Sequence, residues 1–171
     1  MAVIGNIKRG DILECHFGNY THAKDGEGNA ILDDNGVATY DREHFNTRIP
    51  HEIRKTRPVV VLGDHKGQYI VVPISSTEDT HANPRKSGVG RGYHIELPQG
   101  VIPVTHFYEA GIKRWAKANM VQTVDRFRLS SIYCRNQRRY VQASVAGEML
   151  KAIQEALVRS IGRPELLESE G

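Results

Sequence analysis

The sequence predicts a mainly β domain with one C-terminal α-helix, and three features carry this prediction. Short apolar runs either alternate with polar residues or are rich in β-branched side chains, as sheet strands are. One stretch near the end of the chain has the three- to four-residue apolar spacing of a helix. Between the first two predicted strands lies a long segment of turn-forming residues, 18–50, which we interpret as a surface insertion carrying a small hairpin.

The first predicted strand, residues 11–17, alternates apolar and polar side chains. Residues 58–62 and 68–74 are β-branched runs, and residues 63–67 between them predict a tight hairpin of two central strands. An antiparallel sheet is therefore expected. Further short strands are predicted at residues 93–97, 115–121 and 140–143.

One amphipathic pattern closes the domain from about Ala146, and Gly162 ends it. Glu148 in its first turn and Arg159 in its last turn complement the helix dipole. Residues 123–133 are predicted to form a loop with a short helical turn. The apolar face of the helix consists of Met149, Leu150, Ile153, Leu157 and Ile161.

Length and composition restrict the class of protein. With 171 residues and 39% apolar content, the chain is predicted to form one domain over residues 1–171. Two cysteines, Cys15 and Cys134, are too few for a disulfide framework or a four-cysteine zinc site. Without a signal-like N-terminus or a run of about 20 apolar residues, a soluble, cytoplasmic protein is expected.

Charge is unevenly distributed along the chain. Residues 18–50 carry three basic and six acidic side chains, whereas residues 85–139 carry eleven basic and three acidic ones, a net charge of +8. Residues 163–171 form an acidic tail with a net charge of −2. A positive zone favours a polyanionic partner, with nucleic acid first and an anionic membrane second. A solvated basic face without a ligand is the alternative.

Residues 51–58, directly before the second strand, are the most informative for function. They place the imidazole of His51, the carboxylate of Glu52 and the guanidinium of Arg57 within seven residues. Pro58 fixes its own backbone and favours an extended Arg57, which is expected at the mouth of a strand. A surface ion pair between Arg57 and Glu52 is the structural alternative.

Residues 78–92 place Arg85, Lys86 and Arg91 among Gly, Pro and Asn, and we predict a flexible arm that contacts a polyanion. Its glycines lack the strand-to-helix frame of a dinucleotide site and are expected to mark a mobile loop. The eight histidines are scattered, and His51-Glu52 lacks a second histidine at zinc-helix spacing, so no metal site is predicted.

Three aromatic residues, Tyr93, Tyr108 and Trp115, lie among basic residues. Stacking on unpaired bases, as single-stranded RNA binding requires, is one interpretation of them. Packing in the core is the alternative for Trp115.

Four motifs occur in the order seen in the MazF/PemK/Kid family, whose members are toxins of bacterial toxin-antitoxin systems. The chain resembles that family in residues 8–13, in the His-Glu-(four residues)-Arg-Pro segment of 51–58, in the Val-Val-Pro-Ile-Ser-Ser segment of 71–76 and in residues 144–150. The resemblance implies an SH3-like, partly closed antiparallel barrel (MazF/CcdB-like), with the long insertion after its first strand. It also implies a homodimer and cleavage of single-stranded RNA without metal or cofactor.

The resemblance also implies site residues. The family's functional positions correspond to Arg57, Ser75, His51 and Glu52, while Lys117 and Asn119 stand where the family has a later Arg and Asp. Further substrate-binding candidates are Ser76, Asn119, Arg85, Lys86 and Arg91.

The chemistry of RNA cleavage assigns roles to these residues. Attack by the 2′-OH needs a proton acceptor, cations for the phosphorane charge and an acid for the leaving oxygen. Asn119 cannot act as a base, so His51 and Glu52 are the acid-base candidates. Arg57 and Lys117 are then phosphate clamps, and Ser75 is a hydrogen-bond donor.

Two hypotheses of different classes follow. The first is an endoribonuclease toxin that leaves 2′,3′-cyclic phosphate and 5′-OH ends and is neutralised by an acidic antitoxin, with which it binds DNA. The second is a catalytically weak or inactive protein that binds RNA or a partner, or a gyrase poison, on the same fold. Asn119 in place of the family's Asp favours the second.

Overall fold

A computed structural model describes residues 3–18, 23–36, 38–39, 55–79, 81–105, 108–145 and 147–167. Within these ranges the chain forms short β-strands and one α-helix, joined by 3-10 turns. The strands are β1 Asp11–His16, β2 Thr56–His65, β3 Gln68–Ser75, β4 His94–Glu96, β5 Trp115–Lys117, β6 Gln122–Asp125, β7 Leu129–Ser130, β8 Ile132–Cys134, β9 Arg139–Val141 and β10 Ala143–Ser144, followed by the helix α1 Gly147–Ser160. The 3-10 turns are Pro84–Lys86, Ala118–Met120, Arg126–Arg128 and Pro164–Leu167.

The chain divides into two compact units. The larger comprises residues 1–15 and 57–171, and the smaller comprises His16–Thr56. The sequence placed an insertion at residues 18–50, and that boundary stays a prediction.

The larger unit is built on one curled antiparallel sheet with the strand order β10-β1-β2-β3-β5-β4. Two strands exchange partners along their length. β3 pairs with β6 through residues 68–71 and with β5 through residues 74 and 75, while β1 pairs with β10 and then with β7. These exchanges bend the sheet upon itself, as partial closure of a barrel requires. The predicted mainly β fold with a C-terminal helix is confirmed.

One face of the sheet forms the main core with the helix. Alternate residues of β2 and β3 point to this face, since side chains of a strand alternate between its two sides. In α1, Ile153 and Ala156 are completely buried, whereas Ile161, beyond the helix end, is exposed. The core cluster includes Ile12, Val60, Leu62, Val72, Ile74, Ala116, Ile132 and Ile153.

The opposite face is also apolar in its middle, because Val59, Val61 and Val71 are fully buried there. Burial on both faces explains why β2 and β3 read as continuous β-branched runs and not as alternating strands. Polar side chains on this second face begin only where the strands end, at Arg57 and Ser75.

Three predicted elements differ from the observed ones. Residues 123–133 were expected to form a loop with a short helical turn, but only the 3-10 turn Arg126–Arg128 fits this expectation, because β6 precedes it and β7 and β8 follow it. The β2–β3 connection was expected over residues 63–67, but both strands continue to a two-residue turn, Lys66-Gly67, with a bulge between Val61 and Gly63. The predicted strand 115–121 is also wrong in its second half. It ends at Lys117, and the 3-10 turn Ala118–Met120 follows.

The smaller unit contains two short turns that the clustered Asp, Asn and Gly residues predicted. The Asp25 carboxylate accepts hydrogen bonds from the backbone N–H of Glu27 and Asn29, and Asp33 accepts one from Asn35. Isolated β-bridges join Lys24 to Ala30 and Leu32 to Ala38. At the base of the unit, the Lys55 N–H donates to the Gly18 carbonyl.

Among the described helices, none has the length and apolar content needed to cross a membrane.

Candidate active site

The ends of β2 and β3 place Arg57 next to Ser75. Val59 pairs with Pro73, and the same register, carried to the strand ends, puts Arg57 opposite Ser75. Both residues are half-buried. The Ser75 hydroxyl accepts a hydrogen bond of 3.1 Å from the Thr77 N–H, and a hydroxyl that accepts one bond can still donate its own hydrogen. Two polar groups with rigid backbones therefore share the second face of the sheet.

Lys117 is brought to the same face by β5. Ser75 pairs with Trp115, so the alternation of side chains puts Lys117 on the side of Ser75. Burial lowers the pKa of the Lys117 ammonium group, with a smaller lowering from the Arg57 charge, whereas the Asp79 carboxylate opposes this shift. The charge of Arg57 thus acts on Lys117, and two cations on one face of a sheet are an arrangement that can bind an anion.

A buried histidine stands beside this pair. His94 in β4 pairs with Lys117, and its Nε2 lies 3.0 Å from the Asn119 Oδ1. Burial, followed by the Lys117 charge, lowers the pKa of His94, so the imidazole is neutral at neutral pH. The Nε2–H then donates to Asn119, whose amide hydrogens remain for a ligand. The buried His94 Nδ1 has no hydrogen-bond partner among the described residues.

Gly88 and Asp79 lie next to this histidine. A Cβ atom on Gly88 would lie 2.2 Å from the His94 Cε1, so only glycine allows the imidazole to lie on the backbone there. The Gly88 N–H also donates to the Asp79 Oδ2 at 2.7 Å. Asp79 is exposed, and its charge acts on both His94 and Lys117. A carboxylate thus belongs to the cluster.

The prediction of a flexible arm at residues 78–92 is therefore wrong for the glycines on which it was based. Gly90 is packed as closely as Gly88, since its Cβ would meet the Pro84 carbonyl oxygen at 2.3 Å. The 3-10 turn Pro84–Lys86 is capped by the Asn83 side chain, which accepts from the Arg85 N–H. Close packing explains these glycines better than mobility does.

The basic residues of this segment point outward. Arg85, Lys86 and Arg91 are exposed, and Arg91 lies 4.7 Å from the centroid of the Tyr93 ring. Ser76, directly after β3, is exposed as well. Their contact with a substrate stays a prediction.

Two of the three aromatic residues considered for base stacking are buried. Trp115 is 5% exposed and Tyr108 is 7% exposed, so neither ring offers a face to a base. The Arg114 guanidinium lies 5.1 Å from the Tyr108 ring, and burial raises the pKa of the Tyr108 hydroxyl. In the part of the chain that the structure describes, the exposed aromatic residues lie elsewhere, at Phe127, Tyr133 and Tyr140.

His94 and Asp79 were not among the site residues predicted from the sequence. His94 appeared as one residue of an alternating strand, and Asp79 as part of an irregular segment. The pairing of β4 with β5 brings His94 to Lys117, and the hydrogen bond from the Gly88 N–H holds Asp79 where its charge acts on Lys117. His51 and Glu52 lie outside the described residues, so their positions in the site stay predictions. Among the residues the structure describes, no group of three or more His, Cys, Asp or Glu is placed to hold a metal ion.

Comparison with known proteins gives matches over most of the chain. The family model described as "PemK-like, MazF-like toxin of type II toxin-antitoxin system" matches residues 43–161. The uncharacterized protein YifN of Escherichia coli (strain K12) is 36% identical over 169 residues, covering 98% of this chain and 99% of that protein. An uncharacterized protein of Haemophilus influenzae (strain ATCC 51907 / DSM 11121 / KW20 / Rd) is 30% identical over 162 residues, covering 94% of each.

Solved structures match part of the chain. The toxin MazF-mt6 of Mycobacterium tuberculosis has 15% identity and a TM-score of 0.42, covering 65% of this chain and 91% of that one. A MazE-MazF structure from Deinococcus radiodurans has 18% identity and a TM-score of 0.36, covering 63% and 82%.

Proposed function

This chain belongs to the PemK-like, MazF-like toxins of type II toxin-antitoxin systems, and we propose that it is a metal-independent endoribonuclease that cleaves single-stranded RNA. The observation that carries the proposal is the pair of cations, Arg57 and Lys117, beside the Ser75 hydroxyl on one face of the sheet. Such a cluster can bind a phosphodiester group, which is the repeating anionic group of a nucleic acid.

In the proposed reaction, the 2′-oxygen attacks the adjacent phosphorus and the 5′-oxygen leaves. A 2′,3′-cyclic phosphate results, and the leaving oxygen becomes a 5′-OH by taking a proton from the general acid, for which the family resemblance offers His51 or Glu52. Arg57 and Lys117 bind the non-bridging oxygens, where negative charge grows in the transition state. The Ser75 hydroxyl and the Asn119 amide donate further hydrogen bonds, and His94 fixes the orientation of that amide through its 3.0 Å contact.

The proton of the 2′-OH needs an acceptor, and an amide at position 119 cannot serve. Family resemblance offers His51 and Glu52 for this role. The geometry adds Asp79, an exposed carboxylate that the Gly88 N–H holds beside Lys117 and His94. Comparing Asp79→Asn, Glu52→Gln and His51→Gln assigns the base. Removal of the base lowers kcat by a factor of about 10² to 10⁴ and abolishes the acidic limb of the pH-rate profile.

Arg57→Ala tests the site itself. Purified protein is incubated in EDTA with a mixed-sequence RNA, and cyclic phosphate ends are counted. Loss of one charge-stabilising donor is expected to lower kcat by about 10²- to 10³-fold. Arg163→Ala is the matched control, because it removes an equal charge from an exposed ion pair with Glu165. Full activity of folded Arg57→Ala excludes the proposed site.

A second candidate function has one specific observation in its favour, namely Asn119 at the position of the family's Asp. The protein would then bind RNA or a partner without cleaving it, or poison gyrase. Separate incubation of the pure protein with RNA and with gyrase distinguishes these functions, because only the nuclease shortens RNA. Intact RNA at enzyme excess refutes the first proposal.

We also propose an acidic antitoxin partner, a homodimer and a cytoplasmic location, as the type II toxin-antitoxin family implies. The net charge of +8 over residues 85–139 suits an acidic, partly disordered chain. Coexpression with a small acidic protein encoded next to it should relieve growth arrest, and the two should copurify. Normal growth with the active protein expressed alone would argue against this partner.

A further inference from the structure

A basic and aromatic hairpin projects from the core through residues 132–141. β8 and β9 form a separate two-stranded sheet in which Ile132 pairs with Val141 and Tyr133 with Tyr140. Ile132 and Cys134 are buried and anchor the inner side. Tyr133 and Tyr140 are 42% and 45% exposed, so the outer side of the hairpin presents a pair of aromatic rings. The proposed cleavage site does not use this surface.

The charge on this part of the chain has one sign. Residues 126–145 contain five arginines and no aspartate or glutamate. Arg135 and Arg138 are exposed and form no ion pair with any described carboxylate. Both arginines lie in the turn that joins the two strands, where Arg135 is two residues from Tyr133 and Arg138 is two residues from Tyr140. The hairpin therefore combines exposed guanidinium groups with exposed aromatic rings.

The geometry of the ring pair leaves room for a ligand. The Tyr133 and Tyr140 centroids are 5.2 Å apart with the planes at 77°, an edge-to-face arrangement. Edge-to-face contact stabilises the hairpin and leaves ring surface open to solvent. Unpaired bases stack on such surfaces, while arginines contact the phosphates between them. An acidic peptide suits the arginines equally but offers no flat base for the rings.

We propose that this hairpin, the 132–141 arm, is an accessory binding surface for single-stranded nucleic acid. It holds the strand by stacking at Tyr133 and Tyr140 and by phosphate contacts at Arg135 and Arg138. The proposal rests on the proposed function in one respect, because it takes the natural ligand of the arm to be the RNA that the protein cleaves. Strand binding by the arm itself requires no catalysis.

Binding is measured by fluorescence polarisation with a labelled 12-nucleotide oligodeoxynucleotide, which lacks the 2′-OH and is not cleaved. Tyr133→Ala with Tyr140→Ala is expected to weaken binding by at least about 30-fold, since two stacking rings are lost and each stacked base contributes about 1–3 kcal/mol. Tyr133→Phe with Tyr140→Phe keeps the rings and should bind like the wild type. Arg135→Ala and Arg138→Ala should each reduce the salt slope by about 0.7. Arg163→Ala is the charge control.

Three outcomes overturn the proposal. Unchanged binding of the tyrosine and arginine variants shows that the arm does not contact the strand. Weakening by the arginine variants alone shows a general polyanion surface, such as one for an acidic peptide. The third outcome comes from a separate measurement, which is needed if the double alanine variant does not fold. Ultraviolet cross-linking of a bromodeoxyuridine oligonucleotide to the wild type should label residues 132–141, and labelling only elsewhere refutes the assignment.

Different results are expected if the protein is not a nuclease. The arm variants should still cleave a short dinucleotide substrate at the wild-type rate if cleavage occurs at Arg57. A protein that cleaves no RNA but binds the oligodeoxynucleotide through the arm refutes the proposed function and leaves the arm in place.

Discussion

Replacing Gly88 by alanine should damage both the fold and the site, because the His94 imidazole lies against the Gly88 backbone. The new Cβ would stand 2.2 Å from Cε1, 2.4 Å from Nε2 and 2.5 Å from Nδ1 of His94. These distances are far inside van der Waals contact. The ring must move, and it then loses its 3.0 Å hydrogen bond to Asn119.

Two contributions set the size of the effect. Forcing a methyl group into a packed interior costs about 1–3 kcal/mol. Breaking the part-buried hydrogen bond to Asn119 costs about 0.5–1.5 kcal/mol more. The free energy of unfolding should therefore fall by about 1.5–4.5 kcal/mol, a large part of the roughly 5–15 kcal/mol of a typical domain.

Urea denaturation followed by tryptophan fluorescence measures this loss, and Gly63→Ala provides the matched control. Gly63 also lies in the larger unit, has no positive φ, and a Cβ there meets no atom within 4 Å. It should change stability by less than about 1 kcal/mol. Cleavage by Gly88→Ala should fall as well, because the Gly88 N–H also positions Asp79. Equal stability of the two variants would refute the packing of His94 on Gly88.

Three other properties should follow from burial. Ile153→Ala should cost about 2–5 kcal/mol in urea denaturation, whereas exposed Ile161→Ala should cost less than about 0.5 kcal/mol; equal losses would contradict the assigned core. Burial raises the pKa of the Cys15 thiol to about 12. A thiolate-selective reagent at pH 8 should therefore modify Cys15 only after denaturant is added. Fast labelling of Cys15 in the native protein would exclude a buried thiol. In the folded protein the pKa of His94 lies below its usual value near 6.5. The contribution of His94 to stability is therefore complete above pH 6.5 and is lost as the pH falls. The free energy of unfolding should decrease by at most about 1.4 kcal/mol per pH unit. Melting temperatures measured from pH 7.5 to 5.0 should show this decline in the wild type and a weaker one in His94→Gln; identical profiles would show that His94 does not contribute.

The sequence was sufficient for the elements whose signal is local. β-branched runs gave β2 and β3, and the apolar spacing from Met149 to Leu157 gave α1. Arg57 and Ser75 were placed by the motifs at the ends of two paired strands. Their neighbourhood follows from one hairpin, which is short in sequence and therefore predictable.

The other half of the site depends on pairings between distant segments. His94 meets Lys117 across 23 residues, and Asp79 reaches them through a hydrogen bond to Gly88. No local pattern distinguishes His94 from the chain's other histidines. The sequence also did not show that β5 ends at Lys117. Ala118 is a buried apolar residue, which fits an extended strand as well as the 3-10 turn that the structure shows.

Asn119 changes the charge of this site in a way that favours phosphate binding. A carboxylate at this position would pair with the His94 N–H, raise the pKa of the imidazole and offset part of the charge of Lys117. With an amide there, burial keeps the pKa of His94 low, and burial, with a smaller lowering from the Arg57 charge, lowers the pKa of the Lys117 ammonium group. A bound phosphodiester would raise the pKa of Lys117 again. An amide at position 119 thus leaves the charge of Lys117 uncompensated from that side, and the proposed cleavage then needs a proton acceptor at another residue.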